Sequence, residues 1–390
     1  MKNKLIYLDN AATTPVDKRV VKTMEDYYSR NFGNAGSMHN LGLIADNALN
    51  SAREKVANIL NCKKEEIIFT GSGTESINLA LKGLARKSKG KHIITTSIEH
   101  HAVLDSLNSL KKEGFEITII PVEKNGIVSI NKIKSAIKKN TILLSVIYAN
   151  NEIGTIQPIK EIGKLAKSKK ILFHVDACQA VNSETLNVKT LNVDLMSLNS
   201  SKNYGPKGVG CLYKRKGIQL EPLIHGGRQE FGLRSGTENI PGIVGFARAL
   251  EIAQKNKKEY SKKLIKLRDE LIKGLFKINK TILNGDKKKR LPNNVNITFL
   301  DIEGESILLK LNELGIYAST GSACTSKSLD ASHVILAIGQ SEKVAHGSIR
   351  FSLGKYTKKS DINYVIKEMP KIINWLRDIS PVEVKLEETK

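Results

Sequence analysis

Lys202 stands in NSSKNYGPKGVG, a turn containing Gly205, Pro206 and Gly208 that follows the apolar run DLMSL. A lysine amine fixed in such a turn can condense with an aldehyde and later move a proton. Most lysines, taken alone, are solvated surface residues. Asp176 ends the run ILFHV in HVDACQA, and Gln179 lies three residues on. A carboxylate there can sit beside a ring nitrogen and keep it protonated, or it can simply cap the next helix. The interval from Asp176 to Lys202 (202 − 176 = 26 residues) suits one strand–helix–strand step, which puts both at neighbouring strand ends. Gly71-Ser72-Gly73-Thr74 follows the run Ile67–Thr70 and precedes a helical pattern. Its glycines let backbone amides approach an anion, the helix dipole adds to this, and Thr74 supplies a hydroxyl. The GxxxxGK[ST] form of nucleoside-triphosphate sites is absent. His100, after HIITT, could stack on a flat ring or shuttle a proton. Amine, carboxylate, phosphate cradle and flat-ring partner together meet the needs of pyridoxal 5'-phosphate (PLP).

These residues need a scaffold that gathers strand ends. Short apolar runs at Ile67–Thr70, His92–Thr96, Glu116–Val122, Ile142–Ala149, Ile171–Val175, Asp194–Leu198 and Gly208–Tyr213 read as strands. Amphipathic stretches such as Ile130–Ile137 and Ile159–Lys167 lie between them. The alternation predicts a parallel, doubly wound α/β sheet with ligands at the carboxyl ends of its strands. From Glu251 to about Leu275 the pattern becomes one long helix, with Leu264, Leu267, Leu271 and Leu275 on one stripe. Strands near Val295–Phe299, Ala318–Thr320 and Ile349–Ser352 then predict a smaller α/β C-terminal domain.

Composition bounds the rest. The chain has 390 residues, of which 40% are hydrophobic, as in ordinary globular proteins. No apolar run approaches the roughly 18 residues of a membrane span, and the N-terminus lacks a secretory apolar segment, so no membrane association and a cytoplasmic location are expected. Cys62, Cys178, Cys211 and Cys324 are widely spaced with no CxxC pair, which supports neither a disulfide framework nor a metal site. The formal charge of +23 comes from lysines spread along helix and loop faces. That spread gives no groove geometry, so nucleic acid is not the expected partner.

Nearly end to end, the chain resembles the cysteine desulfurases, in the class V aminotransferase group of fold-type I PLP enzymes. The resemblance is carried by LDNAATTP at 8–15, FGNAGSMH at 32–39, TESINLA at 74–80, IEHHAVLD at 98–105, ANNEIGT at 149–155 and HVDACQA at 174–180. It continues in YGPKGVG at 204–210, HGGRQEFGLRSGTEN at 225–239, RLPNNVNI at 290–297, STGSACTS at 319–326 and IRFSLG at 349–354. It implies a large PLP-binding domain over 15–255, and a small domain of 1–14 and 256–390 that carries the catalytic cysteine. It implies that Cys324 accepts sulfur from L-cysteine, leaving a persulfide and alanine, and that Lys202 and His100 share the catalysis. Cofactor contacts would come from Gly73, Thr74, His100, Asn151, Asp176, Gln179, Asn199, Ser200, Ser201 and Lys202, with Thr237 reaching the phosphate of the other subunit of a homodimer. Arg350 would grip the substrate carboxylate, and Asn151 and Asn34 complete the substrate set. The persulfide would pass to an acceptor protein such as an iron–sulfur scaffold, or serve tRNA thiolation. The alternatives are a related PLP lyase or transaminase, for example one acting on selenocysteine, and an inactive homologue serving as a scaffold.

One departure bears on the cofactor. The family usually has Ser-x-His before the lysine, where this chain has Asn199-Ser200-Ser201. Both serines can donate hydrogen bonds, but one larger donor is lost. Looser PLP binding is the expected result. Ser201→His should tighten it, and a PLP titration showing unchanged affinity refutes the reading.

Overall fold

The computed structural model describes residues 5–321 and 330–381, so Cys324 lies outside the described residues. The strands, in chain order, are β1 (Ile6–Tyr7), β2 (Ile67–Thr70), β3 (His92–Thr96), β4 (Glu116–Ile120), β5 (Thr141–Ile147) and β6 (Leu172–Asp176). They continue as β7 (Leu195–Asn199), β8 (Gly210–Lys214), β9 (Thr281–Leu283), β10 (Asn294–Phe299), β11 (Ile316–Tyr317) and β12 (Ser348–Ser352).

The central sheet has the order β2-β8-β7-β6-β5-β3-β4. Its β4-β3-β5-β6-β7 pairs are parallel, and β8 runs antiparallel to both β7 and β2. This is the expected α/β, mostly parallel, doubly wound architecture. Its inner strands are buried on both faces because helices cover both, while the edge strand β4 leaves Glu116 and Ile119 exposed. In β2, Ile67 and Phe69 face a core shared with Leu49, Val56 and Phe246, while Ile68 faces one shared with Leu81, Val103 and Leu107. The period-2 alternation of a strand thus feeds two separate cores.

The long helix starts at Ile240, eleven residues before the expected start at Glu251, and runs to Leu275. Asn239 caps it by accepting from Gly242 N at 3.1 Å. Gly242 and Gly245 weaken the helical signal of its first turns. Tertiary contact requires them small: a Cβ on Gly245 would lie 2.6 Å from Met24 Sδ. Ile243, Phe246 and Leu250 of this helix enter the sheet core, whereas Leu264, Leu267, Leu271 and Leu275 enter a second core with Val295, Phe351 and Ile373.

That second core lies on an antiparallel sheet of order β12-β10-β9. Ala318–Thr320, expected as a strand, is not one. The strand is Ile316–Tyr317, paired in parallel with Ile6–Tyr7, and Ser319 makes only an isolated bridge to Arg350. The partner comes from the other end of the chain, so no local pattern marks the register. No helix of the described residues is long and apolar enough to cross a membrane.

A buried ion pair pins one loop to the sheet. Arg53 donates through Nη1 and Nη2 to the two oxygens of Glu230, each at 2.7 Å, and Glu230 also accepts from Phe69 N at 2.8 Å. Glu230 and Phe231 both adopt left-handed backbone (φ 47° and 58°), a conformation that this anchoring holds. Arg53→Ala leaves the Glu230 carboxylate buried and unpaired. It should lower the unfolding free energy by about 3–5 kcal/mol, measured by chemical denaturation.

Candidate active site

Five strands of the central sheet end at expected site residues. Thr70 of β2 leads to Gly73 and Thr74, Thr96 of β3 to His100, and Ile147 of β5 to Asn151. Asp176 is itself the last residue of β6, and Lys202 closes a single 3₁₀ turn directly after β7. Asp176 is 4% exposed, and its Oδ1 accepts from Cys178 N at 3.0 Å. The Lys202 turn is held from outside. Ser201 O accepts from Thr14 N at 2.8 Å and Thr14 Oγ1 at 2.9 Å, and Lys202 O accepts from Asn182 Nδ2 at 2.8 Å.

His100 caps the helix His101–Lys112, with Nδ1 accepting from Ala102 N at 3.0 Å. Burial first, and the Lys202 charge second, hold its pKa down at about 4, while Asp176 pulls the other way. His100, Lys202 and Asp176 therefore lie within one another's electrostatic reach. A neutral ring that accepts at Nδ1 carries its proton on Nε2. His100 is thus set to present an N–H at that atom.

The helix after Gly71 is capped by Ser72 Oγ, which accepts from Glu75 N at 3.1 Å. Gly71 N donates to Glu75 Oε2 at 2.8 Å, and Glu75 pairs with Arg234 at 3.0 Å. A Cβ at Gly73 would lie 2.8 Å from Cys178 Sγ and 3.0 Å from Asn199 Cβ, so only glycine fits there. Asn199 Nδ2 donates to Ser201 Oγ at 3.1 Å, and Thr74 is exposed in the first helical turn. Ser200 is fully buried with its hydroxyl against Gly205, apart from the Asn199–Ser201 pair.

Arg350 of β12 is 1% exposed. Its Nη2 donates to Asp9 Oδ1 at 2.8 Å and its Nη1 to Asn151 O at 3.2 Å, while Nε has no partner among the described residues. Gln179 Nε2 donates to Ala11 O at 2.9 Å. The segment Asp9–Thr14 therefore touches Arg350, Gln179 and the Lys202 turn in succession. Asn34 and Thr237 lie on exposed loops, and Asn34 Oδ1 accepts from Gly36 N at 2.9 Å.

The sequence profile of the family "Aminotransferase class-V" matches residues 6–365. The chain belongs to the class-V aminotransferase family. Among its relatives is "Cysteine desulfurase IscS" of Methanosarcina thermophila, 53% identical over 98% of this chain and 95% of that protein. A protein of the same name from Clostridium botulinum (strain Hall) is 50% identical over 97% of each chain. A solved "NIFS-LIKE PROTEIN" superposes with a TM-score of 0.91 at 40% identity, covering 96% of this chain and all of that one. The apo structure of a cysteine desulfurase from Thermococcus onnurineus NA1 gives a TM-score of 0.85 at 26% identity over 96% of each chain.

PLP is the cofactor of this class-V aminotransferase, and the residues present fit it. The amine of Lys202 and the carboxylate of Asp176 share one electrostatic neighbourhood, a position closed to any side chain lies at Gly73, and Arg350 Nε stands buried without a partner among the described residues. Cys178 and Cys211 are buried, which pushes both thiols well up, and burial pushes Cys62 up to about 12. None of these three is a ready nucleophile. Three residues carry no signal of their own in the sequence although they stand inside the family motifs: Asp9 in LDNAATTP, Glu99 in IEHHAVLD and Glu152 in ANNEIGT. Only their buried partners single them out.

His174, fully buried between Ser145 Oγ at 2.9 Å and Ser197 Oγ at 3.0 Å, is likewise held down at about 4 by burial. Unfolded histidines take up a proton below about 6.5, whereas folded His100 and His174 resist until about 4. The unfolded chain thus binds more protons in that window, and stability falls as pH is lowered through it. Buried Glu99, held up at about 8, works in the opposite sense above about 4.5, so the unfolding free energy measured from pH 7 to pH 4 should fall most steeply at the acid end, and His174→Gln should flatten that fall.

Proposed function

We propose that the chain is a PLP-dependent cysteine desulfurase that moves the sulfur of L-cysteine onto Cys324 and releases L-alanine. The observation that carries this reading is the gathering of Lys202, Asp176 and His100 at the strand ends, with Arg350 reaching the same place from the second core. Relatives named as cysteine desulfurases cover nearly the whole chain. Bound PLP supplies an electron sink for charge developing at the substrate α-carbon. Lys202 Nζ moves the α-proton, and Asp176 keeps the proton on the ring nitrogen. Arg350 meets the substrate carboxylate, offering the Nε–H that its bonds to Asp9 and Asn151 leave over. His100 would face the cofactor ring and handle a proton at Nε2. Gly73, Thr74, Asn199 and Ser201 serve the phosphate side, whereas Ser200, expected with them, is set apart with its hydroxyl buried against Gly205. Asn151 and Gln179 serve the ring oxygen, and Asn34 serves the substrate.

The same reading divides the molecule into a large domain, 15–255, and a small one, 1–14 with 256–390. The change of core along the helix Ile240–Leu275 supports it. A homodimer is supported by the exposure of Phe32 (66%) and Met38 (97%) on the loop that carries Asn34. Thr237 would then reach the partner's phosphate. A cytoplasmic location and an acceptor protein such as an iron–sulfur scaffold complete the proposal.

The test is to give L-cysteine and a reductant to purified, PLP-loaded protein and quantify alanine and sulfide. Equal yields are expected, falling by at least about 100-fold in Lys202→Ala and Cys324→Ser. Pyruvate and ammonia in place of alanine would mark a β-eliminating lyase instead.

A further inference from the structure

Glu152 follows Asn151 and is 2% exposed. Its backbone is fixed from two sides: Glu152 N donates to Asn150 Oδ1 at 2.9 Å, and Glu152 O accepts from Asn294 Nδ2 at 2.9 Å and Asn296 Nδ2 at 3.2 Å. Its carboxylate is aimed at a distant stretch of chain. Oε2 accepts from Ser332 Oγ at 2.5 Å, and the point where a Cβ on Gly321 would stand lies 3.2 Å from the same oxygen. Gly321 and Ser332 flank residues 322–329, which contain Cys324. One buried carboxylate therefore meets the chain both before and after the cysteine's segment.

The neighbours of these two points lead back to the site. On the leading side, Ser319 exchanges backbone hydrogen bonds with Arg350, at 2.6 Å and 3.2 Å. On the trailing side, His333 Nε2 bonds Glu99 O at 3.0 Å, and its ring meets that of His101 at 4.7 Å. The leading side thus rides on Arg350, and the trailing side on the residues flanking His100.

We propose that Glu152, acting with Ser332, is a positioning residue for sulfur transfer: it fixes where the chain leaves and rejoins the site, and so where Cys324 can reach. This rests on the proposed desulfurase reading. In the step concerned, the Cys324 thiolate forms an S–S bond to the substrate sulfur as the Cβ–S bond breaks. The electron pair of that bond stays with the carbon fragment, which takes up a proton and leaves as alanine, so no external oxidant or reductant enters. The effect assigned to the carboxylate is on distance alone. Displacing a reacting group by about 1 Å costs roughly 100-fold in rate.

The test uses PLP-loaded Ser332→Ala, Ser332→Thr and Glu152→Gln in single turnovers with L-cysteine. Persulfide on Cys324 is followed by intact-protein mass, and cysteine binding by the change in cofactor absorbance. Transfer in Ser332→Ala should slow by roughly 10- to 100-fold, with cofactor content and cysteine affinity unchanged and the protein still fully folded at the assay temperature. Ser332→Thr, which keeps the hydroxyl, should restore the rate, and Glu152→Gln combined with Ser332→Ala should be no slower than the slower single variant. Transfer at the wild-type rate in Ser332→Ala overturns the proposal, as does a loss that merely follows loss of cofactor or of folded protein. If wild-type enzyme binds cysteine but never forms the Cys324 persulfide, the desulfurase reading itself fails, and this role with it.

Discussion

The contact between Arg350 and Asp9 is the constraint around which the site is arranged. A guanidinium only 1% exposed must be paired, because an uncompensated buried charge costs several kcal/mol. Asp9 supplies the charge at 2.8 Å, and the carbonyl of Asn151 takes a second N–H at 3.2 Å. Arg350 belongs to the small sheet, Asn151 follows a strand of the large one, and Asp9 begins the segment that continues to Thr14. One side chain thus draws three remote stretches of sequence to a single point. The segment then carries the constraint onward through Ala11 to Gln179 and through Thr14 to the carbonyl of Ser201.

Around this point the protein limits its buried charge. Burial holds His100 and His174 neutral at physiological pH. Burial also pushes Glu99 up to about 8, with Oε1 accepting from Thr96 Oγ1 at 2.5 Å and Ile147 N at 2.9 Å. Glu99 is therefore largely protonated at neutral pH and adds no full second negative charge near Asp176. The surface follows a different rule. Lys132 with Glu123, and Arg86 with Glu113, are paired where solvent screens them, and such pairs contribute little to stability.

The parallel sheet explains why residues so distant in sequence act together. Every parallel strand delivers its carboxyl end to the same edge, so Thr70, Thr96, Ile147, Asp176 and Asn199 open onto one place although they span 130 residues of chain (199 − 70 = 129 intervals). The antiparallel β8 stands between β7 and β2 and brings Gly210 against Ser72, where a side chain would collide with the backbone.

The sequence by itself determined the class of fold and the chemistry of the site. Apolar strands alternating with amphipathic helices leave little choice but a covered parallel sheet, and Lys202, Asp176 and His100 follow such strands at intervals that place them on one edge. Local signals failed where the partner is remote. The helix from Ile240 begins with glycines that Val209 and Met24 press against from remote elements, and Ile316–Tyr317 is a strand only because Ile6–Tyr7 lies beside it. Asp9, Glu99 and Glu152 are single letters in motifs until burial gives each a partner at least 48 residues away in Arg350, Ile147 and Ser332. Pattern and spacing fix which elements form because those depend on neighbours in sequence. Which charges meet inside depends on how the two cores come together, and only the tertiary structure decides that.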